Sequence, residues 1–337
     1  MYRPSDINTI SYDTVLLKIQ SDGPTDDFYY ILQRAATLGT VRRFMGDEYA
    51  LVAECWCGNL QLKATPLSLT LAAGSLAKWH RSENLTGGLT PDALDIALGS
   101  LDRELGLKGT RYSFREAKVL RIDLAANLVL RNAPYHYLQQ LGDLEEAKGE
   151  KSYTGAKRRE TGITYKLRRS SLCVYDKLAE MRANREPRPG DFKPKNVLRI
   201  EHRIKSPTGI WADVQTYTNP THYKRLISGW YDYAIQLTNT TTIPPEEVDN
   251  MDLICNELAK WAYGQAVYKM GLSVYAARLN RRGLTKDAKS KALKKAREAV
   301  AFYLKSLEDT AQSNELSDEL HEAIQQAHAD SAALYPE

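Results

Sequence analysis

Residues 170 to 180 have the sequence Ser170-Ser-Leu-Cys-Val-Tyr175-Asp-Lys-Leu-Ala-Glu180. The apolar part of this stretch predicts a short strand that ends at Tyr175, and a helical pattern carrying Lys177 and Glu180 begins directly after it. Residues 119–127 and residues 197–205 also have the pattern of strands, and each segment places one carboxylate among basic residues. These three segments decide both the predicted fold and the predicted site.

The polar side chains of the two flanking strands fall on one face each, because alternate residues of a strand point the same way. In the first strand this face carries Arg121, Asp123 and Asn127. In the second strand it carries Arg199, Glu201, Arg203 and Lys205. If the three strands are neighbours in one sheet, Asp123, Glu201 and Tyr175 converge on the same sheet surface.

The domain organisation follows from where the strand signals occur along the chain. Spacings typical of hairpins dominate residues 1–215, which predicts an α+β domain with an antiparallel sheet. Residues 216–245 are predicted to be a helix and a linker. Nearly all of residues 246–337 are compatible with helix, with breaks expected at Gly283 and around Ser313 and Asn314, so an all-helical C-terminal domain is predicted there.

The composition is that of an ordinary soluble protein, with 43% hydrophobic and 26% charged residues in 337. No apolar run has the length of a membrane span, and the first residues lack the apolar core of a secretory signal. Four cysteines in a chain of this length do not indicate a disulfide framework, and we expect them to be reduced and mostly buried. The sequence therefore predicts a soluble intracellular protein with no membrane partner.

Basic residues are locally dense although the formal net charge is only +4. One basic segment covers residues 278–297, where Asp287 is the only acid, and the tail that follows is mostly acidic. A second basic cluster precedes the tyrosine and lies within residues 157–169. Residues 149–160, which overlap its beginning, are polar and predict a loop. Local basic patches suit phosphate backbones, but a solvated helix face explains residues 278–297 equally well.

The three predicted strands carry the groups that cleavage of a phosphodiester requires. A tyrosine oxygen can attack phosphorus and form a covalent phosphotyrosine, but its usual pKa near 10 means that a cation or a base must assist. A carboxylate-bound Mg²⁺ or Mn²⁺ can supply charge neutralisation, and Asp123 and Glu201 are candidate ligands. Lys177 can neutralise phosphate charge or assist the leaving oxygen, and Glu180 can act as a base or as a third ligand.

A purely structural explanation of the same residues stays open at this point. Acids and arginines that alternate on a strand face often form cross-strand ion pairs, and a tyrosine at a strand end is often an amphipathic rim residue. The six histidines are scattered and do not predict a metal centre. His202 lies on the core-facing side of its strand, so we expect it to be packed rather than ligating.

The order and spacing of the three segments resemble the replication initiators of filamentous phages, the gene-two/gene-ten protein family, and the related rolling-circle initiators of small plasmids. The resemblance covers roughly residues 12–215. It implies a metal-dependent nicking-closing enzyme that cuts one strand of a double-stranded origin, becomes linked to the 5′ phosphate and later rejoins the displaced single strand. Origin DNA and displaced single-stranded DNA are the implied partners, and a host helicase, a polymerase or a second copy of the chain are further candidates.

The resemblance also assigns roles to individual residues. Tyr175 is the implied nucleophile, Lys177 and Glu180 support it, and Asp123 and Glu201 are the implied ligands of Mg²⁺ or Mn²⁺. The residues predicted to contact DNA are Arg121, Arg168, Arg169, Arg199, Arg203, Lys205, Arg281 and Arg282. The chain lacks the His-hydrophobe-His element with which many rolling-circle nickases bind metal, and it has no second tyrosine with the same Lys and Glu spacing.

A second hypothesis is a non-catalytic DNA-binding regulator of replication or transcription, built on the same fold and acting through its basic C-terminal helices. It predicts salt-dependent DNA binding without a covalent adduct or a metal requirement. A third is an α+β protein whose charged strand faces are only ion pairs, which predicts no DNA affinity at moderate salt.

Overall fold

The structure is a computed structural model, and most of the chain is described in it. The described residues are 9–35, 42–45, 51–108, 110–141, 144, 147, 149–154, 159–186, 194–238, 251–270, 272, 275, 276, 279 and 285–336. They divide into two compact units, one within residues 1–239 and 319–337 and the other within residues 240–318. The predicted boundaries near residues 215 and 246 remain predictions about independently folding domains.

The first unit is built on an antiparallel sheet that, in the described part of the chain, has ten strands. The strands are β1 (Ser11–Gln20), β2 (Arg42–Met45), β3 (Leu51–Cys57), β4 (Leu60–Thr65), β5 (Ser68–Ala73), β6 (Lys118–Val129), β7 (Gly149–Thr154), β8 (Arg159–Lys166), β9 (Ser170–Asp176) and β10 (Val197–Lys205). Their spatial order is β2-β3-β4-β5-β1-β6-β10-β9-β8-β7. The α+β class with an antiparallel sheet is confirmed.

The helices lie between and after the strands. They are α1 (Asp27–Ala35), α2 (Leu76–Arg81), α3 (Pro91–Glu104), α4 (Pro134–Leu138), α5 (Lys177–Ala183), α6 (Pro220–Gln236), α7 (Met251–Met270) and α8 (Lys286–Ala333). The predicted helical C-terminal region is confirmed. The predicted break around Ser313 and Asn314 is wrong, because α8 continues through both residues. The break predicted at Gly283 lies outside the described residues. None of the described helices is both long and apolar enough to cross a membrane.

The prediction of a loop at residues 149–160 is also wrong. Residues Gly149–Thr154 form β7 and pair with β8, which begins at Arg159. Among the described strands, β7 lies at the edge of the sheet and pairs only with β8. Charged side chains on edge strands protect against edge-to-edge association, so a polar sequence does not exclude a strand there.

The central strands place the three sequence segments side by side. β10 pairs with β6 on one side and with β9 on the other, so that Arg203 lies opposite Asp123 and Arg199 lies opposite Tyr175. β1 continues the sheet beyond β6. Since cross-strand partners in an antiparallel pair point to the same face, the polar residues of all four strands share one sheet surface.

The two faces of the central sheet are covered differently. On the apolar face the indole N–H of Trp230 in α6 donates to the Ile200 carbonyl at 3.4 Å, and the ring of Tyr233 meets His202 edge to face. Burial lowers the pKa of His202 to about 4, and its packed position agrees with the prediction. On the polar face, Leu178 and Met181 of α5 pack with Leu85 from the segment 82–90, which follows α2.

The C-terminal end of α8 belongs to the sheet unit. The Glu319 carboxylate accepts hydrogen bonds from the backbone N–H of Arg131 at 2.7 Å and from the Tyr137 hydroxyl at 2.5 Å. The Ser331 hydroxyl accepts the backbone N–H of Ile10 at 2.8 Å. Because Ile10 directly precedes β1, the end of the chain fixes the entry into the strand that carries part of the site.

Candidate active site on the polar face of the sheet

Tyr175 sits where β9 meets α5, on the rim of a cleft. Asp176 is the N-cap of α5, and its carboxylate accepts the Ala179 N–H at 2.9 Å, so the chain turns sharply after the tyrosine. The cleft has a volume of about 320 Å³ and is lined by β8, β9, α5 and Arg203. Gly162 lies opposite Tyr175 in β8, and both residues line the cleft.

The Tyr175 hydroxyl donates a hydrogen bond to Glu201 Oε2 at 3.0 Å. Burial, and then the charge of Glu201, raises the pKa of Tyr175 well above its usual value. Burial alone would raise the pKa of Glu201, but the charges of Arg199 and Arg203 outweigh it and hold that pKa below the usual range. The pair therefore consists of a neutral phenol and an ionised acceptor at neutral pH.

Arginines surround the two predicted carboxylates. Arg203 Nε lies 2.7 Å from Glu201 Oε1, and Arg199 Nε lies 3.5 Å from Glu201 Oε2. Arg121 binds both oxygens of Asp123, at 2.7 and 2.5 Å, and approaches Glu201 Oε1 at 3.9 Å. Burial raises the pKa of Asp123 to about 7 against the effect of the Arg121 hydrogen bonds, and the Glu201 charge adds to this rise.

As expected, Asp123, Tyr175 and Glu201 lie close together on the same surface of the sheet. Tyr175 and Glu201 are in direct contact, and Arg121 joins Asp123 to Glu201. Asp123 is fully buried and Glu201 is 3% exposed, whereas Tyr175 is partly exposed in the cleft. Tyr175 is thus the most accessible residue of the three.

The two carboxylates do not fit a resident Mg²⁺ or Mn²⁺ in this arrangement. Both oxygens of Asp123 accept from Arg121, and the oxygens of Glu201 accept from Arg203 and Tyr175. Among the described residues no cluster of three or more His, Cys, Asp or Glu side chains is positioned to hold a metal ion. The divalent cation remains a prediction, and nicking assays with and without a chelator test it.

Two residues of the predicted set are less accessible than their assigned roles require. The Lys177 side chain is 2% exposed, and its ammonium lies 2.8 Å from Glu180 Oε2, so it holds Glu180 rather than facing the cleft. Arg199 is 2% exposed and forms an ion pair with Asp13 at 2.9 Å. In this position Arg199 does not reach DNA at the surface, because α5 and the segment 82–90 cover its strand face.

The other predicted DNA contacts fall into three groups. Arg121 and Arg203 are partly exposed at the edge of the carboxylate cluster. Arg168, Arg169 and Lys205 are exposed together at the opposite end of β9 and β10, where the Lys205 N–H donates to the Arg169 carbonyl. Arg281 and Arg282 lie outside the residues that the structure describes.

Asp13, Asn84 and Asn127 belong to the site, although none was among the predicted site residues. Asp13 Oδ1 accepts from the Ser75 hydroxyl at 2.8 Å and from Asn84 Nδ2 at 2.9 Å, and Arg199 Nη1 donates to Asn127 Oδ1 at 3.1 Å. Asp13 therefore positions Arg199, which in turn flanks Glu201. Simple alternation with Val15 would place Asp13 on the apolar face, and the register shift in β1 between Tyr12 and Val15 turns it to the polar face instead. No strand or helix pattern marks Asn84.

Asp13 is expected to contribute stability at neutral pH that is lost in acid. Although burial acts in the opposite direction, the Arg199 charge lowers the pKa of Asp13 to about 2. A carboxyl group whose pKa is lower in the folded than in the unfolded state stabilises the fold above its unfolded-state pKa, and this stabilisation is lost as the pH falls. For Asp13 we expect a loss of about 2 kcal/mol between about pH 4 and pH 2. Urea unfolding across that range should therefore show a flatter acid decline for Asp13→Asn than for the wild-type chain. Parallel declines would contradict the assignment.

The antiparallel sheet thus carries a cleft tyrosine beside arginine-paired carboxylates on its polar face. Residues 59–215 match the family model that describes the N-terminal part of the phage replication-associated protein, the gene-two protein, so the resemblance to the filamentous-phage replication initiators is confirmed for this segment. The match contains β6, β9 and β10 and supports a role in phage DNA replication. A comparison of the chain with curated proteins finds no significant match.

Proposed function

We propose that the chain is a rolling-circle replication initiator that nicks one strand of a double-stranded origin through a covalent 5′-phosphotyrosine at Tyr175. The observation that carries the proposal is the partly exposed Tyr175 side chain, which lines a cleft and whose hydroxyl donates to the buried, arginine-flanked Glu201. The family match independently supports a replication role for this segment. In this proposal the protein acts on DNA in the cytoplasm of the bacterial host.

The proposed step exchanges one phosphate ester for another. The Tyr175 oxygen attacks the scissile phosphorus, the bond from phosphorus to the 3′ oxygen breaks, and the phosphate stays joined to the 5′ strand and the tyrosine. The phenol proton leaves as the new bond forms, passes to Glu201, and in the net reaction ends on the departing 3′ oxygen. The reverse of this step rejoins the strand, because the phosphotyrosine conserves the energy of the ester.

The charges around the cleft suit an incoming phosphate. Arg203 lines the cleft and is about one-third exposed, so its guanidinium can neutralise non-bridging oxygens while it stays bound to Glu201. The carboxylates at the cleft are already engaged, Asp176 as the cap of α5 and Glu180 by Lys177. Their partners reduce the repulsion that two acids would otherwise exert on DNA.

The experiment that tests the function is conversion of a supercoiled plasmid carrying the cognate origin to open circle by the purified full-length chain. A nicking-closing enzyme yields open circles and, on longer incubation, closed relaxed circles. The regulator hypothesis is favoured instead if the protein shifts origin DNA in a gel but leaves every plasmid supercoiled. The assay is run with Mg²⁺, with Mn²⁺ and with chelator, so that the cation prediction is tested together with the function.

Gly162, which lines the cleft opposite Tyr175, gives a graded prediction. Gly162→Leu places a side chain on the same sheet face as Tyr175, because the two residues are cross-strand partners. We expect the nicking rate to fall by at least about tenfold, since a misplacement of about 1 Å near the reacting atoms has effects of this size or larger. Gly162→Ala, with a smaller side chain, should lose less. Equal nicking by wild-type, Ala and Leu forms would show that DNA does not enter the cleft beside Gly162.

A further inference from the structure

The first three turns of α8 carry a dense set of cations in the second compact unit. Between residues 286 and 297 the cations are Lys286, Lys289, Lys291, Lys294, Lys295 and Arg297, and Asp287 is the only acid. The Thr285 hydroxyl accepts the Ala288 N–H at 3.3 Å, which places the start of the helix at Lys286. The positive charge is therefore concentrated on an ordered helical segment.

Five of these cations form one surface, which we call the basic face: Lys286, Lys291, Lys294, Lys295 and Arg297. All five are exposed. At 3.6 residues per turn they fall within about half of the helix circumference. The buried residues Ala296 and Val300 lie on the other half and pack against Val267 of α7. The packing within this unit thus fixes which side of α8 faces outward.

The basic face does not serve the stability of its own helix. Cations near a helix N-terminus oppose the helix dipole. The pairs Lys291–Lys294, Lys291–Lys295 and Lys294–Arg297 are spaced by three or four residues, so like charges are neighbours along the surface. Asp287 and Glu298 are the acids within the same reach, and they compensate only part of this repulsion. Such an arrangement is explained by a ligand that is strongly negative.

We propose that the basic face binds the sugar-phosphate backbone of duplex DNA, as a second DNA-binding surface separate from the tyrosine site. The five cations span about 16 Å of helix at 1.5 Å per residue. Duplex DNA carries one charge per about 1.7 Å of axis, so the span faces several phosphates at once. Backbone contacts of this kind give affinity without sequence preference.

The test measures binding without cleavage, so that its outcome does not depend on the proposed chemistry. In a full-length Tyr175→Phe background, the residues of the basic face are replaced by glutamine, and binding to a short labelled duplex is followed over a series of salt concentrations. We expect the slope of log K against log salt to fall in magnitude by about four, since each phosphate contact contributes about 0.9. The affinity at low salt should fall at least about tenfold.

A charge-conserving variant provides the matched control. Replacement of the four lysines by arginine keeps the charge and should keep both the affinity and the slope. The glutamine variant should unfold at the same or a higher temperature, because it removes repulsion along the helix, so that lost binding does not reflect lost folding. An unchanged slope of log K against log salt in the glutamine variant would overturn the proposal. The basic face would then have to bind a different partner, such as an acidic protein. Equal loss in the arginine variant would also overturn it, since positive charge alone would not explain binding.

Discussion

Tyr175→Phe is expected to lower the rate of origin nicking by at least about a thousandfold and to abolish the covalent protein–DNA adduct. The change removes only the hydroxyl oxygen, which is the proposed nucleophile and the donor to Glu201. Loss of the nucleophile in covalent catalysis has effects of this size or larger. Because the phenyl ring remains in the cleft, the affinity for uncleaved origin DNA should change by no more than a few fold.

Tyr135→Phe is the matched control for this prediction. Tyr135 is also partly exposed in the sheet unit, and its hydroxyl accepts a hydrogen bond from Gln139 at 2.6 Å, away from the carboxylates. The control variant should nick at the wild-type rate. If Tyr175→Phe nicked as fast as the control, Tyr175 would not be the nucleophile, and the chemistry would have to be sought elsewhere in the chain.

Arg199→Met is expected to destabilise the sheet unit by about 3 to 5 kcal/mol, because it leaves buried carboxylates without their counter-charge. Arg199 binds Asp13 at 2.9 Å, lies 3.5 Å from Glu201 and donates to Asn127. The side chain is 2% exposed, so water cannot replace the lost guanidinium without opening the site. Urea unfolding of the full-length chain at neutral pH measures the loss.

The double variant separates the ion pair from general packing. Asp13→Asn together with Arg199→Met removes both charges of the pair, so its loss of stability should be smaller than the sum of the two single losses by at least about 1 kcal/mol. Residual destabilisation is expected, because Glu201 still lacks one of its cations. Strictly additive losses would show that Asp13 and Arg199 are not coupled, and that Asp13 does not position the arginine beside Glu201.

Much of this site followed from strand periodicity alone. The alternation in residues 119–127 and 197–205 placed Asp123, Glu201 and Arg203 on one face, and the apolar run before Tyr175 fixed its place at a strand end. These inferences held because both strands lie in the middle of the sheet and pair in regular register with their neighbours. In such strands alternate residues point to the same face, as the sequence pattern predicts.

The covering of that face could not be predicted in the same way. Arg199 has the sequence setting of an exposed strand residue, yet it is buried because α5 and the segment 82–90 pack over it. Asn84 comes from a segment without helix or strand periodicity, and Asp13 from a part of β1 that precedes its apolar run. The arginine pairing of the carboxylates is a tertiary property too, and it is the reason that the predicted metal ligands are engaged.

The most direct measurement of the central claim is identification of the amino acid that becomes joined to DNA. The wild-type chain is incubated with an origin oligonucleotide labelled on the 3′ side of the nick, and the adduct is isolated under denaturing conditions, digested and mapped by mass spectrometry. We predict a phosphodiester-linked nucleotide on the peptide containing Tyr175, with a free 3′ hydroxyl on the other DNA product. An adduct on any other residue, or cleavage with a 5′ phosphate and no adduct, would contradict the proposed function.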